Sequence, residues 1–452
     1  MMKTRRFIEY WFLLVVPGIL VLKAGPSVGE DLSGPLMKAV TSGDTMAVGE
    51  LIRKGANVNC KDTKERTPLM HAARAGHSQI VRLLLEKGGS VNERDSDGRT
   101  ALRDASDAGH ARIVSHLLDN GADINSRSRY GRTPLYSAVG IGRGRIIRLL
   151  LERGADVNIA DARGVTSLML ACQMGDEEVV KLLLSRGADM DARNKLDQCP
   201  LAISVDKGHE YLVELSLKKG ADPNCSVEGF TVLMNASRAG DEDIARLLLN
   251  KGAEVNAQDH SGRTALMEAA GRGHDFIAEL LLEKGADVTM KDKSGNTALM
   301  IASGSGHAHV VLLLLDHGAD LHPTDRVYGR TALWWSVEEG HSDVVRLLVE
   351  KGAEVNGKML LRASAKGYPE VVEMLSQHGA PTEFKDEHGR TSLIWAAMFG
   401  HAEVVKHLLA KRADVGAKDN QGNTAITYAS RKKYENIVKL LEERQTKLPS
   451  SR

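Results

Sequence analysis

Short apolar clusters recur along this chain between polar spacers. From Arg66 to Gly88 the first cluster is Leu69, Met70, Ala72 and Ala73, and the second is Ile80, Val81, Leu83, Leu84 and Leu85. Apolar positions three and four apart predict helices, and the second cluster is apolar enough to be packed on several sides. Thr67 is placed to cap the first helix. Pro68 suits its first turn, where a missing N–H costs nothing. Gly76-His77 turns the chain between the two helices, and Gly88 ends the second as a left-handed residue. Val91 and Asp95 to Gly98 then form an extended arm and a tight turn, and Thr100 opens the next unit.

A Gly-Ala-like pair closes the apolar run twelve times. The pairs start at Gly55, Gly88, Gly121, Gly154, Gly187, Gly220, Gly252, Gly285, Gly318, Gly352, Gly379 and Arg412, the last an Arg in a Gly position. The steps are 32–34 residues, apart from 27 between Gly352 and Gly379. A fixed period of this length signals stacked units, each too small to bury its own apolar face. About thirteen helix pairs are expected, the first from Pro35 to Lys54 and the last from Thr424 to Arg444. Polar Ser42, Thr45 and Glu50 at one end, and Lys432, Lys433, Glu442 and Glu443 at the other, stand where inner units face a neighbour. They predict capping units.

The pieces Thr67-Pro68-Leu69…Ala72-Ala73, Gly76-His77, Val81…Leu84-Leu85 and Gly121-Ala122-Asp123-Ile124-Asn125 resemble the ankyrin repeat family, in phase from about Pro35 to Glu443. The resemblance implies an all-α repeat solenoid of stacked helix-turn-helix units with β-hairpin-like loops. It also implies a concave groove that binds proteins, lined by the turn tips and by residues just before the Gly-His turn. On this chain those phases hold Arg129, Tyr130, Arg132 and Ile141, then Arg163, Val165, Gln173 and Met174. Lys195, Leu196, Asp206 and Lys207 come next, followed by Val227, Phe230 and Arg238. Tyr130, Ile141, Met174, Leu196 and Phe230 stand out because the same phases elsewhere hold Ser, Asp, Gly or Lys. Apolar and aromatic residues beside Arg are what binding hot spots favour, so a partner stripe is expected from Arg127 to Arg238.

The 27-residue step predicts a second candidate. Gly357-Lys358 runs straight into Met359-Leu360-Leu361, so one turn-forming arm is missing, and Asp325 to Gly329 just before it carries one extra residue. A notch in the groove is expected there, with Tyr328, Trp334, Trp335, Trp395, Met398 and Phe399 around it. Trp334 and Trp395 read equally as inner-helix packing residues.

Composition narrows the function classes. Across 452 residues the net charge is +1 with 26% charged residues, so bulk attraction to nucleic acid or a membrane surface is not supported. Arg127, Arg129, Arg132, Arg143, Arg145 and Arg148 form a local basic cluster, readable as a solvated face or as a site for an acidic segment. Seven histidines follow Gly in the inter-helix turn (His77, His110, His209, His274, His307, His341, His401). Recurrence at one phase reads as a turn-fixing residue and not as a catalytic or metal set. Gly140-Ile141-Gly142-Arg143-Gly144 lies between helices, so a phosphate cradle is not expected. Asp95, Asp161, Asp259, Asp292, Asp386 and Asp419 fit turns. No catalytic constellation emerges, and neither a cofactor nor a small-molecule substrate is expected. Cys60, Cys172, Cys199 and Cys225 sit at different phases without a Cys-x-x-Cys. Zinc is unsupported, and the four thiols neither demand disulfides nor exclude export.

Residues 1–29 break the pattern. Lys3, Arg5 and Arg6 precede a charge-free run from Trp11 to Leu22, and small and polar residues follow. This is the layout of a secretory signal peptide, with cleavage expected near Gly29. An uncleaved membrane anchor and a twin-arginine signal at Thr4-Arg5-Arg6 are the alternatives. The expected organisation is 1–29 signal or anchor, 30–444 repeat solenoid and 445–452 polar tail. The expected function is a non-catalytic protein-interaction scaffold, periplasmic or secreted. The runner-up is an accessory or effector that regulates a separately encoded enzyme or channel, including a secreted host-directed factor.

Overall fold

The computed structural model describes residues 31–446. The signal segment expected at 1–29, and the tail beyond residue 446, lie outside the described residues. The chain separates into two compact units, one ending at Asp123 and the other beginning at Ile124. Among the described residues the first holds six helices, from Ser33–Ser42 to Ala111–Asp119. The second holds twenty, from Pro134–Ile141 to Glu435–Thr446. They form thirteen consecutive pairs, as the period requires, and each unit is an all-α repeat stack.

The pair Pro68–Ala75 and Ser78–Glu86 shows how the local sequence builds the element. The Thr67 hydroxyl accepts from the Met70 N–H, Pro68 lies in the first turn, and Gly76 ends the helix at φ +83°. Leu69, Ala72, Ala73, Ile80, Val81 and Leu84 are at most 1% exposed. The short Ala72 and Ala73 side chains let the second helix of the pair lie close, and no pair has a core of its own. Exposed Ser42 and Glu50, and exposed Lys432, Lys433, Glu442 and Glu443, occupy the outer pairs as a capping role demands.

Three sets of hydrogen bonds join successive pairs. Asn59 Nδ2 donates to the Gly88 carbonyl (3.1 Å) and Asn59 Oδ1 accepts from the Ser90 N–H (2.7 Å); Asn158 and Asn256 repeat this. The turn aspartates hold the arms: Asp95 Oδ1 accepts from the Asp97 and Arg99 amides, and Asp259 and Asp386 do the same in their own arms. Neighbouring arms are then stitched by main-chain bonds. Ala162 N–H donates to the Tyr130 carbonyl (2.8 Å), and Lys195 N–H donates to the Arg163 carbonyl (2.9 Å). One arm is a short antiparallel hairpin, Ser226–Val227 paired with Phe230–Thr231.

The third set gives the recurring histidines a longer reach than a turn-fixing role requires. His110 Nε2 lies 3.3 Å from the Arg74 carbonyl oxygen, His274 Nε2 3.2 Å from that of Arg238, and His401 Nε2 3.0 Å from that of Ala365. Each partner lies 36 residues earlier, on the preceding pair. The ring also covers that pair's closing glycine. A Cβ on Gly76 would stand 2.7 Å from the His110 ring, so that position needs glycine for contact as well as for its φ.

The short step is built as its sequence implies. Asn356, at the phase where Asn59 bridges pairs, instead caps the helix Gly357–Lys366, its Oδ1 accepting from the Met359 N–H (3.1 Å). No arm intervenes. A Cβ on Gly357 would come within 2.3 Å of Phe384, so the close seating of this helix depends on a residue without a side chain.

Candidate partner-binding groove

Along the second unit, the arm tips and the ends of the first helices place the sequence-selected residues on one recurring edge. Tyr130 (59% exposed), Ile141 (49%), Met174 (48%) and Leu196 (70%) are open to solvent although large and apolar. Arg129 and Arg163 are exposed beside them, while Arg132 is half-buried. Arg132 lies over the Tyr136 ring (5.5 Å), and the Tyr136 hydroxyl donates to Asp161 Oδ2 (3.3 Å). Burial, with the Asp161 charge, pushes the Tyr136 phenol up, so it stays a hydrogen-bond donor. Phe230 differs from the others: it is half-buried, with the Arg238 guanidinium 4.2 Å from its ring centre. Arg238 is itself held by Glu268 (2.8 Å), which also takes Arg263 (2.8 Å).

Two neighbouring concavities open on this edge. One, of about 380 Å³, is bounded by Arg163, Gln173, Lys195, Leu196 and Lys207. The other, of about 220 Å³, is bounded by Val227, Phe230, Asn235 and Arg238. Gln198 and Asp206 line both. Arg163, Leu196 and Phe230 are therefore brought into one region. Gln198 was not singled out from sequence, although Arg132 and Val165 were selected at the same phase.

Beneath the second concavity Cys199 and Cys225 form a disulfide. Cys199 replaces the usual Thr cap, and its sulfur still accepts from the Ala202 N–H (3.3 Å). The bond ties the start of the helix Pro200–Asp206 to the root of the hairpin that carries Phe230. Cys60 and Cys172 are buried free thiols, and burial pushes Cys172 up to about 11, leaving it unreactive near neutrality.

The notch forms a third concavity, of about 300 Å³. Trp334, Leu361, Trp395 and Phe399 give it apolar walls, and Lys358, Arg362 and Lys366 stand along one face of the capped helix. Trp395 and Phe399 are stacked 5.5 Å apart, and Trp395 Nε1 donates to Asp386 Oδ2 (2.8 Å). Glu338 takes Arg362 through both oxygens and also Lys366 (3.3 Å). The Arg362 hydrogen bonds hold the Glu338 carboxyl below its usual range. Tyr328 and Trp335 lie outside this concavity, and the Arg330 guanidinium lies 4.1 Å and 5.0 Å from their ring centres and 5.9 Å from that of Trp334. Of the residues placed here from sequence, Trp334, Trp395 and Phe399 share the cavity. The cationic wall was missed, although Lys358, Arg362 and Lys366 recur every four residues after the short step.

A family profile described as ankyrin repeats in three copies matches residues 36–128, 125–194, 201–292, 289–359 and 360–449. The chain belongs to the ankyrin repeat family. Ankyrin repeats are generally protein–protein interaction modules, and the family is typically non-catalytic. Comparison with curated proteins finds no match. One matched segment ends at residue 359 and the next begins at residue 360, so the boundary between them falls inside the helix Gly357–Lys366 that lacks its arm. Among the described residues, no helix is long and apolar enough to cross a membrane.

Proposed function

We propose that the chain is a non-catalytic scaffold that binds partner proteins through the ankyrin edge between Arg127 and Arg238. The observation that carries this reading is the pair of adjoining concavities that share Gln198 and Asp206, one of them lined by the exposed Leu196. Exposed apolar side chains next to fixed guanidinium groups are suited to anchoring a partner. The arms are pinned by main-chain bonds and the Cys199–Cys225 disulfide, so the surface is preformed and association needs little backbone change. No nucleic acid or small-molecule substrate enters this reading. The test is Tyr130→Ala with Arg132→Glu, and separately Leu196→Asp. Each is compared with wild type by cross-linking capture from the native compartment, after circular dichroism has shown that folding is intact. Loss of the same captured proteins from both variants supports the reading, and an unchanged set refutes it.

Export from the cytoplasm is part of the proposal. The basic start and charge-free run of residues 1–29 support it, as does a disulfide, a bond that persists in oxidising compartments. Mass spectrometry of the mature N-terminus, with non-reducing peptide mapping of Cys199 and Cys225, tests it. An intact Met1 together with two reduced thiols would refute export.

A further inference from the structure

We infer that the notch left by the missing arm is a second binding site, separate from the Arg127–Arg238 edge, and that it takes an acidic peptide segment anchored by one aromatic side chain. The cavity of about 300 Å³ lies at the lower limit of specific ligand pockets, which suits one large side chain. Its walls fit an aromatic ring. Trp395 and Phe399 present a stacked pair, Phe399 is half exposed, and buried Leu361 adds an aliphatic lining. Offset or edge-to-face packing on such a wall adds to the gain from burial alone.

The charge of the rim selects the flanking residues. Lys358, Arg362 and Lys366 line the cavity against a single lining carboxylate, Asp386, which is occupied by the Trp395 indole N–H. Glu338 adds one more negative charge from behind Arg362 and Lys366. Positive charge therefore remains in excess, and Lys358, exposed at the mouth, forms no ion pair among the described residues. A carboxylate next to the aromatic anchor would meet Lys358 first. A basic or neutral segment would leave that excess unanswered.

The short step explains why the site exists. Elsewhere in this unit an arm stands in front of the first helix, as Asp161 to Val165 does before Ser167–Met174. Here Asn356 caps the helix directly, so Lys358 and Arg362 face the opening without an arm across them.

The probe is a dye-labelled pentapeptide with Phe at its centre and Glu at the other four positions. It is titrated by fluorescence anisotropy against the full chain, with intrinsic Trp emission recorded in parallel. Controls are the same peptide with Phe replaced by Ala, and with Glu replaced by Lys. The acidic Phe peptide is expected to bind at least tenfold more tightly than either control and to perturb Trp emission. Lys358→Glu and Phe399→Ala should each weaken it at least tenfold, with unchanged circular dichroism. Leu196→Asp should leave it unaltered, which separates this site from the edge proposed above. Equal affinity for the three peptides, no binding up to about 1 mM, or wild-type affinity in Lys358→Glu overturns the inference.

Discussion

Asp104 is the most informative single residue to neutralise in the first unit. It lies in the helix Ala101–Ala108, is 3% exposed, and its Oδ2 has no hydrogen-bond partner among the described residues. Burial pushes its carboxyl up from 3.8 to about 6, against the opposing pull of Arg66, Arg74 and Arg99. At about 1.4 kcal/mol per pH unit, that gap corresponds to ~3 kcal/mol of folding stability lost when the group is ionised. Because the folded-state value is raised, the folded chain keeps a proton that the unfolded chain releases. Stability therefore falls as pH rises from about 4 to about 6, and the full cost is in place above that range. Asp104→Asn removes the charge and keeps the shape. Burying a neutral amide returns part of the cost, so the expected gain is about 1–2 kcal/mol near pH 7.5, and it turns into a loss of about 0.5–1.5 kcal/mol by about pH 4, where the wild-type carboxyl is already protonated when folded. The assay is hydrogen exchange of peptides within residues 68–119, comparing variant with wild type at each pH. Where opening is cooperative, a gain of 1–2 kcal/mol slows exchange roughly five- to thirtyfold. No slowing near neutral pH, or equal slowing at both pH values, would refute burial as the cause.

Three further outcomes are expected. Reducing Cys199–Cys225, or replacing Cys225 by Ser, should cost about 3 kcal/mol locally, the scale for a bridge across some 26 residues; unchanged exchange of residues 199–231 under reductant would contradict this. Gly357→Ala should destabilise the second unit by about 1–3 kcal/mol, because its Cβ meets Phe384. Urea unfolding followed by Trp fluorescence reads this directly, since Trp334, Trp335 and Trp395 flank the step, and an unshifted midpoint would rule the clash out. Amides between Gly352 and Gly379 should exchange faster than those of the flanking pairs, since the missing arm removes one set of pair-to-pair bonds there. Uniform protection would count against that weakness.

Much of the fold was legible because each repeat is specified by neighbours in sequence. Thr67 caps three residues ahead, Gly76 closes a helix it follows, and Asp95 accepts from amides two and four residues ahead in its own arm. Such contacts are set by local conformational preference, so they survive translation from one unit to the next. The short step was equally visible, since the spacing from Gly352 to Gly379 falls to 27 residues and Gly357-Lys358 runs straight into Met359-Leu360-Leu361.

What sequence alone could not settle depends on which residues of different pairs come together. The histidines read as turn residues, but their rings bond to carbonyls 36 residues back. Four scattered cysteines carried no pairing until packing brought Cys199, at the start of one helix, to Cys225, at the root of the hairpin. Asp104 occupies the phase of His71, and only burial among Arg66, Arg74 and Arg99 makes its charge costly. At the notch, periodicity located the gap and the aromatic residues. Stacking then decided that Trp334, Trp395 and Phe399 share a cavity with Lys358, Arg362 and Lys366, while Tyr328 and Trp335 turn to Arg330. Chain-local physics determined the element and its repetition. The surface chemistry arose from side chains a full period or more apart, which only packing places together.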